Sequence, residues 1–326
     1  MNQEQGSAPL VLVTAPIPQA ALAAVHAVCR VRQWTDGPAM PRAALLEQAQ
    51  GAAGIYCLIN DRIDAAVLDA AGPGLRVVST MSVGYDHVDV AACAARGVAV
   101  GNTPGVLTET TADLALALIL ATARRLPEAS DAARAGQWGA WQPEWMTGRD
   151  LHGSTVGIVG LGRIGTAVAR RLRGFGCTLL YAGPRRKPDA EAETGARCVD
   201  FDTLLAESDF VTVHSPLNEA TRGLFGLDAF RKMKPTAVFV NTSRGGLVDQ
   251  AALLAALQSG VIAAAGLDVT TPEPLPTDHP LFRLPNCVVL PHIGSASIAT
   301  RNRMALMAAE NLIAGVRGEA LPNGVG

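Results

Sequence analysis

Short apolar runs recur along the chain with Ala-rich or amphipathic stretches between them. Leu10-Val-Leu-Val13, Ile55-Tyr-Cys-Leu-Ile59, Arg76-Val-Val-Ser-Thr80 and Val98-Ala-Val100 lack the polar alternation of a half-solvated strand. They read as strands covered on both faces, as in a parallel sheet. The Ala-rich segment Gln19 to Val28 predicts a helix between the first two. Together they predict a small parallel α/β layer. It ends at Gly101-Asn102-Thr103-Pro104-Gly105, where turn residues break the pattern and predict a hinge. Past it, Thr108 can cap a long helix whose Leu114, Leu118 and Ala121 face one way and which stops before Pro127.

From Ser154 the alternation resumes. Val156, Ile158 and Val159 form a buried-strand run, and Gly160, Gly162 and Gly165 follow at once as G-x-G-x-x-G. Ile164, Val168, Leu172 and Phe175 then recur at helical spacing until Gly174 and Gly176 supply a stop. Strand, tight turn and helix in this order predict a dinucleotide site. Gly160 permits the turn, Gly162 lets the backbone approach a pyrophosphate, and Gly165 lets helix pack on strand, with the anion at the helix N-terminus. Further strands are expected at Thr178–Ala182, Ala196–Val199, Phe210–His214, Ala237–Asn241, Ala264–Val269 and Val288–Leu290. A helix from Ser297 to Gly315 then returns to the first layer.

The strand ending at Ala182 decides which dinucleotide. An Asp or Glu there would accept from a free ribose hydroxyl. The chain instead reads Gly183-Pro-Arg-Arg-Lys187, so Arg185 and Arg186 favour a 2'-phosphate, at about 1.5–3 kcal/mol per charge-assisted hydrogen bond. NADP(H) is therefore the expected cofactor, with NAD(H) left open; a solvated basic loop is the bland alternative.

Composition narrows the picture. With 326 residues, 49% of them hydrophobic, the chain can fill two cores. A formal charge of −2 gives no broad positive field, which argues against nucleic acid or a membrane surface as partner. Cys29, Cys57, Cys93, Cys177, Cys198 and Cys287 form no C-x-x-C pair, and we expect reduced thiols in a cytoplasmic protein with no metal site. Met1 to Pro9 lacks the basic and apolar regions of a signal peptide, and Leu114 to Ala123 is too short to span a bilayer. Trp138, Trp141 and Trp145 crowd a Gly- and Pro-rich segment. Such aromatics imply either an arm packing on a second subunit, hence a homodimer, or a satellite core under a loop.

A hydride-transfer site for a 2-keto or 2-hydroxy acid needs a cation for the carboxylate, an acid/base for the oxygen, and a group that controls that base's protonation. Strand ends supply Arg244 in Asn241-Thr-Ser-Arg-Gly-Gly246, Glu273 in Thr271-Pro-Glu-Pro274 and His292 in Pro291-His-Ile-Gly-Ser295. His26, His87, His152 and His279 have no such setting and read as surface or loop residues, while His214 reads as a positioning residue.

These segments, with Gly266-Leu-Asp-Val269 and the glycine motif, resemble the signatures of the D-2-hydroxyacid dehydrogenase family over nearly the whole chain. Met81-Ser-Val-Gly-Tyr-Asp86, Arg124-Arg-Leu-Pro-Glu128, Ala264–Gly266 and Pro291–Ser295 are most similar to its glyoxylate/hydroxypyruvate reductases, which use NADPH. The resemblance implies two doubly wound, Rossmann-like α/β domains with a ligand cleft between them. Residues 1-102 and 293-326 would form a flavodoxin-like substrate-binding domain, and 103-292 the dinucleotide-binding domain. His292 would protonate the carbonyl oxygen, Glu273 would hold the imidazole protonated, and Arg244 would bind the carboxylate and polarise the ketone. Val83 and Gly84 would offer N–H groups to the substrate, with Ser295, Leu58 and a partner's Trp141 completing the pocket. Asp268 would orient the nicotinamide, and Leu161, Arg163, Ile164, Ser215, Pro216, Thr242, Thr110 and Gly294 would line the dinucleotide. Leu58 stands where relatives acting on phosphorylated acids carry Arg, so a small uncharged 2-keto acid is expected. Broader 2-keto acid reductases and dinucleotide-sensing corepressors share the scaffold and are the alternatives.

Overall fold

The computed structural model describes residues 8–325. Most of the segment Met1 to Pro9, where no targeting signal is expected, lies outside them. Strands run in chain order β1 (Leu10–Val13), β2 (Arg30–Gln33), β3 (Gly54–Cys57), β4 (Val77–Thr80), β5 (Ala99–Gly101), β6 (Thr155–Val159), β7 (Thr178–Ala182), β8 (Arg197–Cys198), β9 (Phe210–Val213), β10 (Val238–Asn241), β11 (Ala264–Leu267), β12 (Cys287–Val289) and β13 (Gly324–Val325). They divide between two compact units.

The first unit takes in the chain up to Leu107 and again from Ala296. Its sheet has the order β13-β5-β4-β3-β1-β2, parallel except where β13 meets β5. Alternate residues feed opposite faces: Leu12, Ile55 and Val78 enter one core, and Val11, Tyr56 and Val77 the other. The predicted closing helix is Ile298–Arg317 and packs on the second of these through Ala305, Ala308 and Leu312. A Cβ on Gly315 would lie 2.4 Å from that of Val77, so only glycine allows this approach.

The second unit spans Thr108–Ser295 around a parallel sheet of order β12-β11-β10-β9-β6-β7-β8. Phe210, Val238 and Val240 face one core while Val211 and Phe239 face the other, so these strands are covered on both sides. Phe225, Phe230 and Phe239 form a buried aromatic cluster, with Phe225 and Phe239 centroids 4.8 Å apart. Burying each such ring contributes about 1.5–3 kcal/mol. The strand order reverses at β6, and in open α/β sheets such a switch point marks the ligand crevice outside the strands' carboxyl ends. The glycine motif follows β6 directly.

Three expectations change. The units divide after Leu107 and after Ser295, not after residues 102 and 292. Asn102 N donates to Asn323 O and Thr103 N to Ser82 O, holding that stretch to the first unit, whereas Ile293 N and Gly294 N donate to the Asp268 carboxylate in the second. The long helix is Thr108–Ala123, and its buried stripe runs through Ala115, Leu118, Ile119 and Thr122, with Leu114 and Ala121 only half-buried. That helix does stop before Pro127, as expected; Pro127 itself sits in the first turn of a further helix, Leu126–Arg134, which Arg125 enters in a left-handed conformation. After it, Trp138 and Trp141 stand 75% and 86% exposed, which removes the satellite-core reading. All six cysteines are free thiols, and among the described residues no His/Cys/Asp/Glu cluster could hold a metal and no helix is long and apolar enough to cross a membrane.

Candidate active site

The turn after β6 gives its three glycines three different jobs. Gly160 has φ +96°, and a Cβ there would meet Ser215 Oγ at 2.6 Å. A Cβ on Gly165 would lie 2.2 Å from Gly160 O, so helix Arg163–Leu172 rests directly on the turn. Gly162, the helix N-cap, has open space around it and no side chain capping it. The first-turn N–H groups of Arg163, Ile164 and Gly165 therefore face a gap that an anion can enter. Leu161 is buried beneath, Ile164 packs into the core, and Arg163 is exposed. On the neighbouring strand ends, Ser215 Oγ donates to Val159 O, and Pro216 O accepts from Thr221 Oγ1. Thr242 Oγ1 is buried with no hydrogen-bond partner among the described residues. An open, uncapped helix end beside an orphaned hydroxyl fits a dinucleotide.

The acid/base pair hangs on Asp268, at the end of β11. Asp268 is fully buried; its carboxylate accepts from Ile293 N at 2.8 Å and Gly294 N at 2.7 Å, and its carbonyl accepts from His292 N at 2.9 Å. Burial raises its carboxyl pKa above the ordinary value, against the pull of those two N–H groups. The three bonds hold His292 at φ +53°, a conformation that costs a non-glycine residue about 1–3 kcal/mol. So held, His292 Nδ1 meets Glu273 Oε1 at 2.7 Å, and Nε2 has no partner among the described residues. Fixing one ring nitrogen assigns proton traffic to the other.

Arg244 is placed by its own loop. Asn241, ending β10, donates through Nδ2 to Arg244 O and accepts Ser243 N on Oδ1, which closes a tight turn. Ser243 Oγ donates to Val213 O, and Arg244 Nη1 to Ser243 O. A Cβ on Gly245 would come within 1.9 Å of Thr270 O, so the Arg244 loop lies flush against the segment running from Asp268 to Glu273. Thr110, in the first turn of helix Thr108–Ala123, and Ser295 are half-buried in the same unit.

The basic loop after β7 is only partly as expected. Arg186, read as a phosphate ligand, is paired with Glu191, whereas Arg185 makes no hydrogen bond or ion pair among the described residues. His214 Nε2 bonds Thr212 Oγ1, and burial lowers its pKa to about 4, so it is neutral near pH 7.

Val83, Gly84 and Leu58 belong to the first unit. Ser82 Oγ donates to Gly84 O and Asn102 Nδ2 to Val83 O, so both carbonyls are tied back. Ser82 Oγ is itself bonded to Thr80 Oγ1, which meets His87 Nε2. Asn311, fully buried, donates to Asn102 O at 2.9 Å. Leu58 is half-buried against the core, and its N–H donates to Asp61, whose buried carboxylate also takes Thr14 Oγ1. Sequence reasoning missed Ser82, whose partners Thr80 and Gly84 are local, and Asn102 and Asp61, whose partners Asn311 and Thr14 only the fold brings near.

Residues 116–294 match the family described as D-isomer specific 2-hydroxyacid dehydrogenase, NAD binding domain. The chain belongs to this family. It is thus an NAD(P)-dependent oxidoreductase with the two-domain α/β fold of its relatives. This dehydrogenase is 54% identical to the mouse glyoxylate reductase/hydroxypyruvate reductase over 316 residues, 96% of each chain. It is 53% identical to the human protein of the same name over the same share of each. Among solved structures, the TT0316 protein of Thermus thermophilus superposes with TM-score 0.90 at 47% identity, covering 97% of this chain and all of the other. The NADPH-dependent glyoxylate/hydroxypyruvate reductase of Sinorhizobium meliloti, solved with NADP and malonate, gives TM-score 0.86 at 35% identity over 98% of this chain and 97% of its own.

Proposed function

We propose that this dehydrogenase reduces glyoxylate and hydroxypyruvate to glycolate and D-glycerate, with NADPH preferred and NADH also accepted, as a cytoplasmic homodimer. The His292–Glu273 bond on the turn held by Asp268, with Nε2 left over, carries the reading. The names of the mouse and human relatives support the choice of acids. Gly160, Gly162, Gly165 and Thr242 would hold the dinucleotide, which when bound supplies the hydride. His292 Nε2 gives a proton to the substrate's carbonyl oxygen. Glu273 accepts from Nδ1 and offsets the imidazolium charge. Arg244 takes the carboxylate through a planar fork of donors and polarises the ketone. Val83 and Gly84 add backbone N–H groups, Ser295 and Leu58 line the acid, and a partner's Trp141 covers it. Exposed Trp138 and Trp141 are what a partner subunit would bury.

An NADPH-oxidation assay with glyoxylate, hydroxypyruvate, pyruvate and phosphohydroxypyruvate tests this. We expect the first two acids to be turned over best; turnover confined to the phosphorylated acid would overturn the choice of substrate.

A further inference from the structure

The loop joining β7 to the helix Pro188–Thr194 is closed at its far end by two bonds independent of either arginine. Lys187 N donates to the hydroxyl of Tyr181, a residue of β7 that is fully buried, and Glu191 N donates to Lys187 O, both at 2.8 Å. That hydroxyl then donates to Glu191 Oε1. Glu191 also grips Arg186 with both oxygens, Oε1 receiving Nε at 3.1 Å and Oε2 receiving Nη2. The carboxylate side chain is only 16% exposed and its pKa is drawn down to about 2, by Arg186 first and Tyr181 second, so it stays ionised at any working pH. The loop's two guanidinium groups are therefore unequal. Arg185 is uncommitted among the described residues, and Arg186 already has its anion.

We propose that Glu191 is a specificity-determining residue: by competing with the 2'-phosphate for Arg186, it sets how strongly NADP(H) is preferred over NAD(H). The inference rests on the proposed NADPH preference. A phosphate reaching Arg186 must share or displace a carboxylate already bonded to it. A cofactor with a free 2'-hydroxyl meets no such competition. Arg185 then supplies most of the preference and Arg186 a part that Glu191 withholds.

Calorimetry with adenosine 2',5'-bisphosphate and adenosine 5'-monophosphate separates these contributions without turnover. Glu191→Gln keeps an acceptor for Tyr181 and removes the charge. It should tighten the bisphosphate about fivefold, the scale of one exposed ion pair, and leave the monophosphate unchanged. Arg186→Ala alone should weaken the bisphosphate little; made in the Glu191→Gln background it should abolish the gain. Bisphosphate affinity that is unchanged or weakened in Glu191→Gln would overturn the inference, as would a gain that survives loss of Arg186. An unsubstituted protein that binds both nucleotides equally would instead defeat the NADPH preference, and this inference with it.

Discussion

The two sheets share one construction and treat their carboxyl ends differently. In the first unit, most polar groups beyond the strands are paired with each other: Thr14 and Leu58 N on Asp61, Thr80 with Ser82 and His87, and Asn102 between Val83 and Asn311, while Trp34 Nε1 and Thr103 Oγ1 are buried with no hydrogen-bond partner among the described residues. In the second, the turn after β6 and the end of β10 leave capacity unused, with an uncapped helix start at Gly162 and an orphaned Thr242 hydroxyl. Buried polar groups seldom stay unpaired, so in the second unit, where the orphaned hydroxyl shares the sheet's carboxyl end with the glycine turn, the arrangement marks where a ligand completes the bonding, and in the first the Asp61 and Asn102 networks already hold their loops.

Substitutions can sharpen that contrast. Gly165→Ala should have the largest effect, since its Cβ would lie 2.2 Å from the backbone oxygen of Gly160, which cannot swing aside as a side chain can; we expect a loss of several kcal/mol in thermal or urea unfolding. Asp61→Ala should cost about 2 kcal/mol by stranding the Thr14 hydroxyl and Leu58 N–H, while nucleotide affinity in calorimetry holds. Gly162→Ala should do the reverse. Its Cβ enters open space, so the melting temperature stays put while NADPH binding, followed by fluorescence, weakens about tenfold. A destabilised Gly162→Ala with unchanged affinity would erase the distinction.

His214 offers a pH test in the second unit. Its pKa falls from 6.5 to about 4 on folding, so the unfolded chain binds the extra proton between those values. The neutral ring's contribution is complete above pH 6.5 and is lost as pH falls toward 4. The full shift corresponds to about 3 kcal/mol, and the residue's partial exposure reduces it to roughly 1–2. Urea unfolding across this range should show that loss in the native protein and not in His214→Gln. Smallest of all, Thr242→Val should leave the free protein's stability nearly unchanged, because the hydroxyl has no partner to lose, and weaken NADPH binding by about threefold.

What could be read from the chain alone follows from these physics. Leu10–Val13 and Thr178–Ala182 were predictable to the residue because both faces of each strand are apolar. Arg30–Gln33 was not: it is an edge strand, and its Arg-Val-Arg-Gln pattern lacks a buried run. Helices as short as Val90–Ala95 show too few turns for periodicity. Gly160, Gly162 and Gly165 announce themselves because each backbone task excludes other residues, and Glu273 and His292 because both follow strands within short motifs. Glu191 stayed hidden: an acid was sought at the end of β7, and the one that matters approaches from the next helix. Asp61 and Asn102 have partners far along the chain, such as Thr14 and Asn311, and no local pattern predicts such pairs.

The central claim is that His292, held by Asp268 and Glu273, is the proton donor. Single-turnover oxidation of bound NADPH by glyoxylate in His292→Ala, alongside nucleotide affinity of the same variant, addresses it most directly. We predict a rate about a thousandfold lower with affinity nearly intact; a rate within a few-fold of the native protein's would contradict it.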